Sequence, residues 1–191
     1  LAAVHMTQLT PAEIALCAER GVSVVHCPQS NMKLASGFCP ADALLKAGVN
    51  LAIGTDGCAS NNDLDMFDEL RTAALLAKAV AQDATAFKAF SALHSATLAG
   101  ARAMGLEDRI GSLEAGKQAD IIAVDLSQLE TLPIYDVISQ LVYAGSRQQV
   151  SDVWIAGRIK MQGRQLVDID IQKVQATARR WQHTIKRIQS P

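Results

Sequence analysis

No two of the four cysteines, Cys17, Cys27, Cys39 and Cys58, stand in a C-x-x-C pair. That spacing removes the zinc-ribbon and dithiol-redox classes, and unpaired thiols fit a reducing, cytoplasmic setting. Charge of one sign is not in excess either: 18 Lys and Arg face 19 Asp and Glu, for a net charge of −1. The sequence therefore carries no basic footprint for nucleic acid. No apolar run approaches the roughly 20 residues that cross a bilayer. No charged stretch leads into an apolar segment at the start, as a secretory leader would. Internal repeats and low-complexity tracts are missing too. What is present is an ordinary globular balance: 191 residues, 49% of them hydrophobic and 19% charged. That length suffices for one good core and a small second unit.

The first third of the chain reads as strands alternating with helices. Leu1 to His5 is a short apolar run ending in a polar residue. Because the chain opens inside that run, we expect an N-terminal segment or a separate chain to belong with it. Thr10-Pro11-Ala12-Glu13 has the signature of a helix start, with Thr10 as N-cap, Pro11 at the first position and Glu13 at the third. This helix is predicted to stop at Gly21. Val22 to His26 is rich in β-branched residues and reads as a second strand. A loop is predicted from Pro28 through Gly37, a helix over Pro40 to Lys46, and a third strand over Val49 to Ile53. That strand runs into Gly54-Thr55-Asp56-Gly57, and a polar loop then opens a long helix from Leu64 to Ala81.

The second half changes character. Thr85 to Met104 reads as one or two Ala-rich helices, Ala119 to Val124 as a strand and Tyr135 to Val142 as a helix. Val150 to Ile155 and the segment to Gly163 read as a hairpin. Ile171 to Ile188 is a C-terminal helix with Val174, Ala178, Trp181 and Ile185 at helical spacing.

Each of the first three strands ends in a polar residue: His5, His26 and Asp56. Alternating strands and helices imply a parallel sheet. In a parallel barrel the C-terminal strand ends share one rim where sites are built, and in a doubly wound sheet they meet at a ligand crevice. The pattern allows both. A lone His at a strand end is more often structural than functional. Three polar residues converging on one rim shift that balance, since an Asp there can hold a divalent cation or act as a general base. Gly54 and Gly57 also suit a plain turn around Asp56. His94, in an Ala-rich helix, and His183, beside Arg179, Arg180, Lys186 and Arg187, read as packed or solvated residues.

Gly54 to Phe67, reading GTDGCASNNDLDMF, resembles a long motif of the amidohydrolase superfamily, and most closely its methylthioadenosine/S-adenosylhomocysteine deaminase branch. His26 to Gly37 is similar to the preceding family motif, His-Asn-Pro-x-Ser-Asn-x-Lys-Leu. Gly111 to Ile122 resembles the segment where such chains leave the barrel for a small β domain. The resemblance implies an α/β fold, the C-terminal part of a (β/α)8 barrel (about strands 6–8), followed by helices and a small β-sandwich portion. The implied division is 1–108 barrel part, 109–168 small β domain and 169–191 C-terminal helix.

The same resemblance implies metal-dependent hydrolytic deamination of an adenosine-type nucleoside. Asp56 matches the residue that ligates the metal and takes a proton from water. His5 matches a His beside the nascent hydroxide or the departing group. His26, Ser60 and Asn61 are candidates for substrate contact, with turn-making and helix capping as the plainer role of Ser60 and Asn61. The implied cofactor is one divalent metal, Zn2+ first and Fe2+ as the alternative. The family's His-x-His, and its His followed three residues later by Glu, have no counterpart here. Asp56 alone cannot hold a catalytic zinc, which wants three or more protein ligands. The chain by itself is therefore expected to be inactive, and a homo-oligomer with a completed barrel is the implied assembly. Three alternatives stay open: a guanine or 8-oxoguanine deaminase, an s-triazine chlorohydrolase, and an inactive scaffolding fragment.

Overall fold

The computed structural model describes residues 1–189. Three parallel strands, β1 (Ala2–Val4), β2 (Ser23–His26) and β3 (Asn50–Ile53), lie side by side in the order β1-β2-β3. Between them run α1 (Pro11–Glu19), α2 (Pro28–Lys33) and α3 (Ala41–Lys46), and α4 (Met66–Ala81) follows β3. Parallel neighbours require such crossovers, because the chain must return to the same end of the sheet before pairing again.

The first crossover forms as its sequence predicts. Thr10 caps α1: its hydroxyl accepts from the Glu13 amide while the Glu13 carboxylate accepts from the Thr10 amide at 2.7 Å. The second differs. Where the sequence suggests a loop from Pro28 onward, the chain makes the six-residue helix α2. Pro28 occupies its first position, where a missing N–H costs nothing and the fixed φ favours helix entry. The long helix also starts later than its apolar pattern suggests. Leu64 takes a left-handed φ of 50°, and Asp65 becomes the N-cap, accepting from the Phe67 amide.

The core lies between this sheet and its helices. Val24, Leu51 and Ile53 from the strands meet Ile14, Leu44, Leu70, Ala73, Ala74 and Phe87. Two short helices, α5 (Ala89–Ser95) and α6 (Leu98–Ala103), close the first half, with α6 packing on β2 and β3. The second half is one antiparallel sheet in the order β4-β5-β6-β7: β4 (Ile121–Val124), β5 (Val150–Ile155), β6 (Arg158–Gln162) and β7 (Gln165–Leu166). α7 (Val137–Tyr143) sits between β4 and β5 in sequence yet packs on α4 and α5, placing Val142 in the main core. α8 (Ile171–Gln189) ends the described chain, with Val174, Trp181 and Ile185 about half-exposed. No described helix is long and apolar enough to cross a membrane.

Candidate active site

The C-terminal ends of the three parallel strands bring His5, His26 and Asp56 to one edge of the sheet. His5 and Asp56 both adopt left-handed backbone, with φ of 71° and 63°, and Met6 follows His5 at 48°. Non-glycine residues held there cost about 1–3 kcal/mol each, and such strain concentrates where a side chain must be aimed. The His5 amide still donates to the Val25 carbonyl at 3.0 Å, so the turn begins directly off the ladder. Gly54 is needed by close approach, since a Cβ there would sit 3.2 Å from Val25 Cγ1 on the neighbouring strand.

Asp56 is the hub. Its Oδ2 accepts from the Ser30 hydroxyl at 2.7 Å and the Ser60 hydroxyl at 2.7 Å. These bonds, Ser30 first, then Ser60 and the Gly57 amide, hold its carboxyl down to about 2. His5 Nε2 lies 3.8 Å from the same oxygen. The other His5 nitrogen, Nδ1, is 2.8 Å from Asn31 Oδ1. Since an amide oxygen only accepts, that contact puts the proton on Nδ1 and leaves Nε2 with its lone pair toward Asp56. Two acceptor groups thus point at each other across 3.8 Å. That arrangement suits a shared cation or a proton in transit, and both side chains are partly open to solvent. The donor set fits a divalent metal in kind, one carboxylate and one neutral imidazole. In number it provides at most two of the ligands that a catalytic zinc takes from its protein.

His26 is placed differently. It is 1% exposed, its Nδ1 has no hydrogen-bond partner, and burial followed by the nearby His5 pushes its pKa down to about 4. It is a neutral ring at the base of the site. Asn31 Nδ2 is likewise buried without a partner. Buried polar groups normally find one, so both mark places where a ligand or a further segment has a polar atom to satisfy. Ser60 and Asn61, 8% and 3% exposed, turn inward. Ser60 holds Asp56, while Asn61 Oδ1 accepts from the Leu64 amide at 3.1 Å and its Nδ2 donates to Glu69. Lys33 crosses from α2 to pin the same loop through the Ala59 carbonyl and Asn62.

Ser30 and Asn31, the residues that fix Asp56 and His5, had no role legible beforehand. The usable signal was Pro28, which by starting a helix places both within its first turn. Cys27 is buried beside this site, and burial first, then Asp56 and Glu69, push its thiol up to about 12, so it is inert. The exposed Cys58 lies in the turn after Asp56. A groove of about 560 Å3 at the opposite ends of the strands, lined by Leu1, Ser23 and Asn50, is remote from this chemistry.

Known proteins resemble this chain in sequence and fold. A family model described as the amidohydrolase family matches residues 1–160. A 5-methylthioadenosine/S-adenosylhomocysteine deaminase from Teredinibacter turnerae is 52% identical over 182 residues, covering 95% of this chain and 41% of its own length. A solved adenosine deaminase from Xanthomonas campestris, described with bound zinc, is 68% identical with a TM-score of 0.96, covering 97% of this chain and 42% of that one. The atrazine chlorohydrolase TrzN from Arthrobacter aurescens, complexed with zinc, is 27% identical with a TM-score of 0.85, covering 92% and 39%. The chain spans about two fifths of the length of the curated relatives it matches.

Proposed function

The chain belongs to the amidohydrolase family, and on that footing we propose that it is the C-terminal part of a metal-dependent deaminase of adenosine-type nucleosides, methylthioadenosine or S-adenosylhomocysteine. In this reading β1, β2 and β3 are strands 6, 7 and 8 of a (β/α)8 barrel. Residues 1–108 are its barrel part, 109–168 a small β domain and 169–191 a terminal helix. A further segment supplies the remaining strands and metal ligands, giving a completed barrel that works in the cytoplasm as a homo-oligomer. The observation that carries the reading is the His5–Asp56 pair, an imidazole lone pair 3.8 Å from a carboxylate braced by two serines. The names of the relatives at 52% and 68% identity point to the substrate class.

The reaction replaces an amine on a purine ring carbon by oxygen: water adds, the C–N bond breaks and ammonia leaves. A divalent metal, Zn2+ by the relatives' example, would supply hydroxide near neutral pH when bound. Asp56 is the residue of this chain that would hold it, with His5 beside it. Asp56, ionised at neutral pH, accepts the proton of the attacking water. It returns that proton to the departing amine, which otherwise leaves as a poor anion. His5, fixed through Asn31, presents its Nε2 lone pair to an O–H of the attacking water and so orients it. His26, Ser60 and Asn61 line or support the pocket from the strand-7 and strand-8 loops, His26 as a neutral ring near the substrate.

The test is ammonia release from methylthioadenosine and S-adenosylhomocysteine by the completed barrel, before and after a chelator. Release that stops on chelation and returns with Zn2+ supports the reading. No release from either nucleoside, with turnover of guanine or atrazine instead, overturns it in favour of another branch. No turnover of any of them leaves the scaffolding reading.

A further inference from the structure

Glu69 has no part in the mechanism above, yet it is a buried carboxyl hydrogen-bonded to the loop that carries Ser60. It lies on the first turn of α4 and is 0% exposed. Such a group is rarely buried without a cation. Here the charged groups that act on it are carboxylates, Asp63 and Asp68, and burial first, then Asp63, push its pKa up to about 7. Its partners are neutral. Oε1 accepts from Asn61 Nδ2, and Oε2 faces the Gln29 amide at 3.4 Å, at the start of α2. The Cys27 thiol lies near both Glu69 and Asp56.

Those two partners have a specific position. Asn61 adjoins Ser60, and Gln29 adjoins Ser30, the two hydroxyls that hold Asp56 Oδ2. Asn31, which fixes His5, is two residues beyond Gln29. One carboxyl therefore joins the two segments that hold both candidate catalytic side chains. A second contact, Gln29 Nε2 to the Thr72 hydroxyl at 3.3 Å, ties the same residue to α4. An apolar side chain at 69 would fill the space and join nothing, which is a reason for a buried acid at this point.

We propose that Glu69 is a positioning residue for the Asp56 site, acting through Asn61 and the Gln29 amide on the segments that carry Ser60 and Ser30. The proposal rests on the deaminase reading for its kinetic consequence, but the bracing itself is independent of substrate. It acts by fixing where Asp56 and His5 point, so its loss falls on the chemical step more than on binding. Misplacement of catalytic groups by fractions of an ångström to 1 Å costs on the order of 10- to 100-fold in rate.

The experiment compares Glu69→Leu, Glu69→Gln, Asn61→Ala and the double variants in the completed barrel. It uses steady-state ammonia release from methylthioadenosine and amide hydrogen exchange of 28–33 and 57–64. Glu69→Leu is expected to lower kcat about tenfold or more while KM moves less than about threefold. Glu69→Gln keeps an acceptor for Asn61 and is expected to recover most of the rate. In the Asn61→Ala background Glu69→Leu is expected to add little, because the two act through one contact. Exchange is expected to quicken in both segments together and not in β3. Unchanged kcat, fully additive losses, or exchange unaltered in both segments would each overturn the proposal. If Glu69→Leu does not fold, Asn61→Ala decides it, since unchanged kcat with unchanged exchange in both segments would overturn the proposal. If the parent protein does not deaminate methylthioadenosine, the deaminase reading fails, and the exchange measurement still decides the brace.

Discussion

The two halves of the chain bury their strands in different ways. In the parallel half, β2 and β3 are almost wholly covered, with Val24, Leu51 and Ala52 at 0–2% exposure. In the antiparallel half no residue of β4–β7 is buried, and Ile122 and Ile155 stand about half in solvent. Parallel strands flanked by helices are covered on both faces, whereas an antiparallel sheet tolerates water on one. His26 and Asp56 follow these two covered strands, whereas His5 follows β1, whose Val4 is 47% exposed. A side chain can be aimed to within tenths of an ångström only if the strand beneath it cannot shift, and dense packing prevents that shift. The antiparallel half touches the site at its margin, where the half-exposed Arg147 donates to the Asp63 carbonyl at 2.8 Å and pairs with the buried Asp65.

This contrast can be broken by measurement. Leu44→Ala, at a fully buried position in the parallel half, is expected to cost about 2–5 kcal/mol by chemical denaturation, from lost burial plus the cavity left behind. The next effect depends on pH. The His26 pKa is 6.5 when unfolded and about 4 when folded, because burial refuses the charge. The unfolded chain therefore takes up a proton that the folded one rejects. The stabilisation is fully present above pH 6.5 and is lost as pH falls toward 4, by about 3 kcal/mol at about 1.4 kcal/mol per pH unit. His26→Asn should remove that part of the acid sensitivity, and a denaturation series from pH 7 to 4 on both proteins checks it. An equal slope in the two would place His26 in contact with water. The smallest effect is expected for Ile122→Ala, below about 1 kcal/mol for a half-exposed side chain. A cost like that of Leu44→Ala would mean that another segment covers this sheet.

What was legible in the sequence followed local rules. The Thr10–Glu13 capping box, the glycine stops and the β-branched strands produced α1, β2 and β3 close to their predicted bounds, because caps and periodicity act within a few residues. The convergence of His5, His26 and Asp56 was legible because parallel strands place like ends together. The partners of these residues were not. Ser30, Asn31 and Glu69 meet Asp56, His5 and Asn61 across 26, 26 and 8 residues, and such pairing belongs to the tertiary fold. The segment from Pro28 looked like a loop because Pro, Ser and Asn favour turns, and only packing against α4 makes it a helix. The inward turn of Ser60 and Asn61 was open between substrate contact and loop-making, and their hydrogen bonds serve the loop and Asp56.

The account depends most on Asp56 as the proton carrier. Asp56→Asn keeps the size and the Ser30 and Ser60 contacts but removes the charge. In the completed barrel, ammonia release from methylthioadenosine under single-turnover conditions should fall on the order of 10^3-fold, with an unchanged circular dichroism spectrum. A rate within about threefold of the parent would contradict the account and move the chemistry away from this carboxylate.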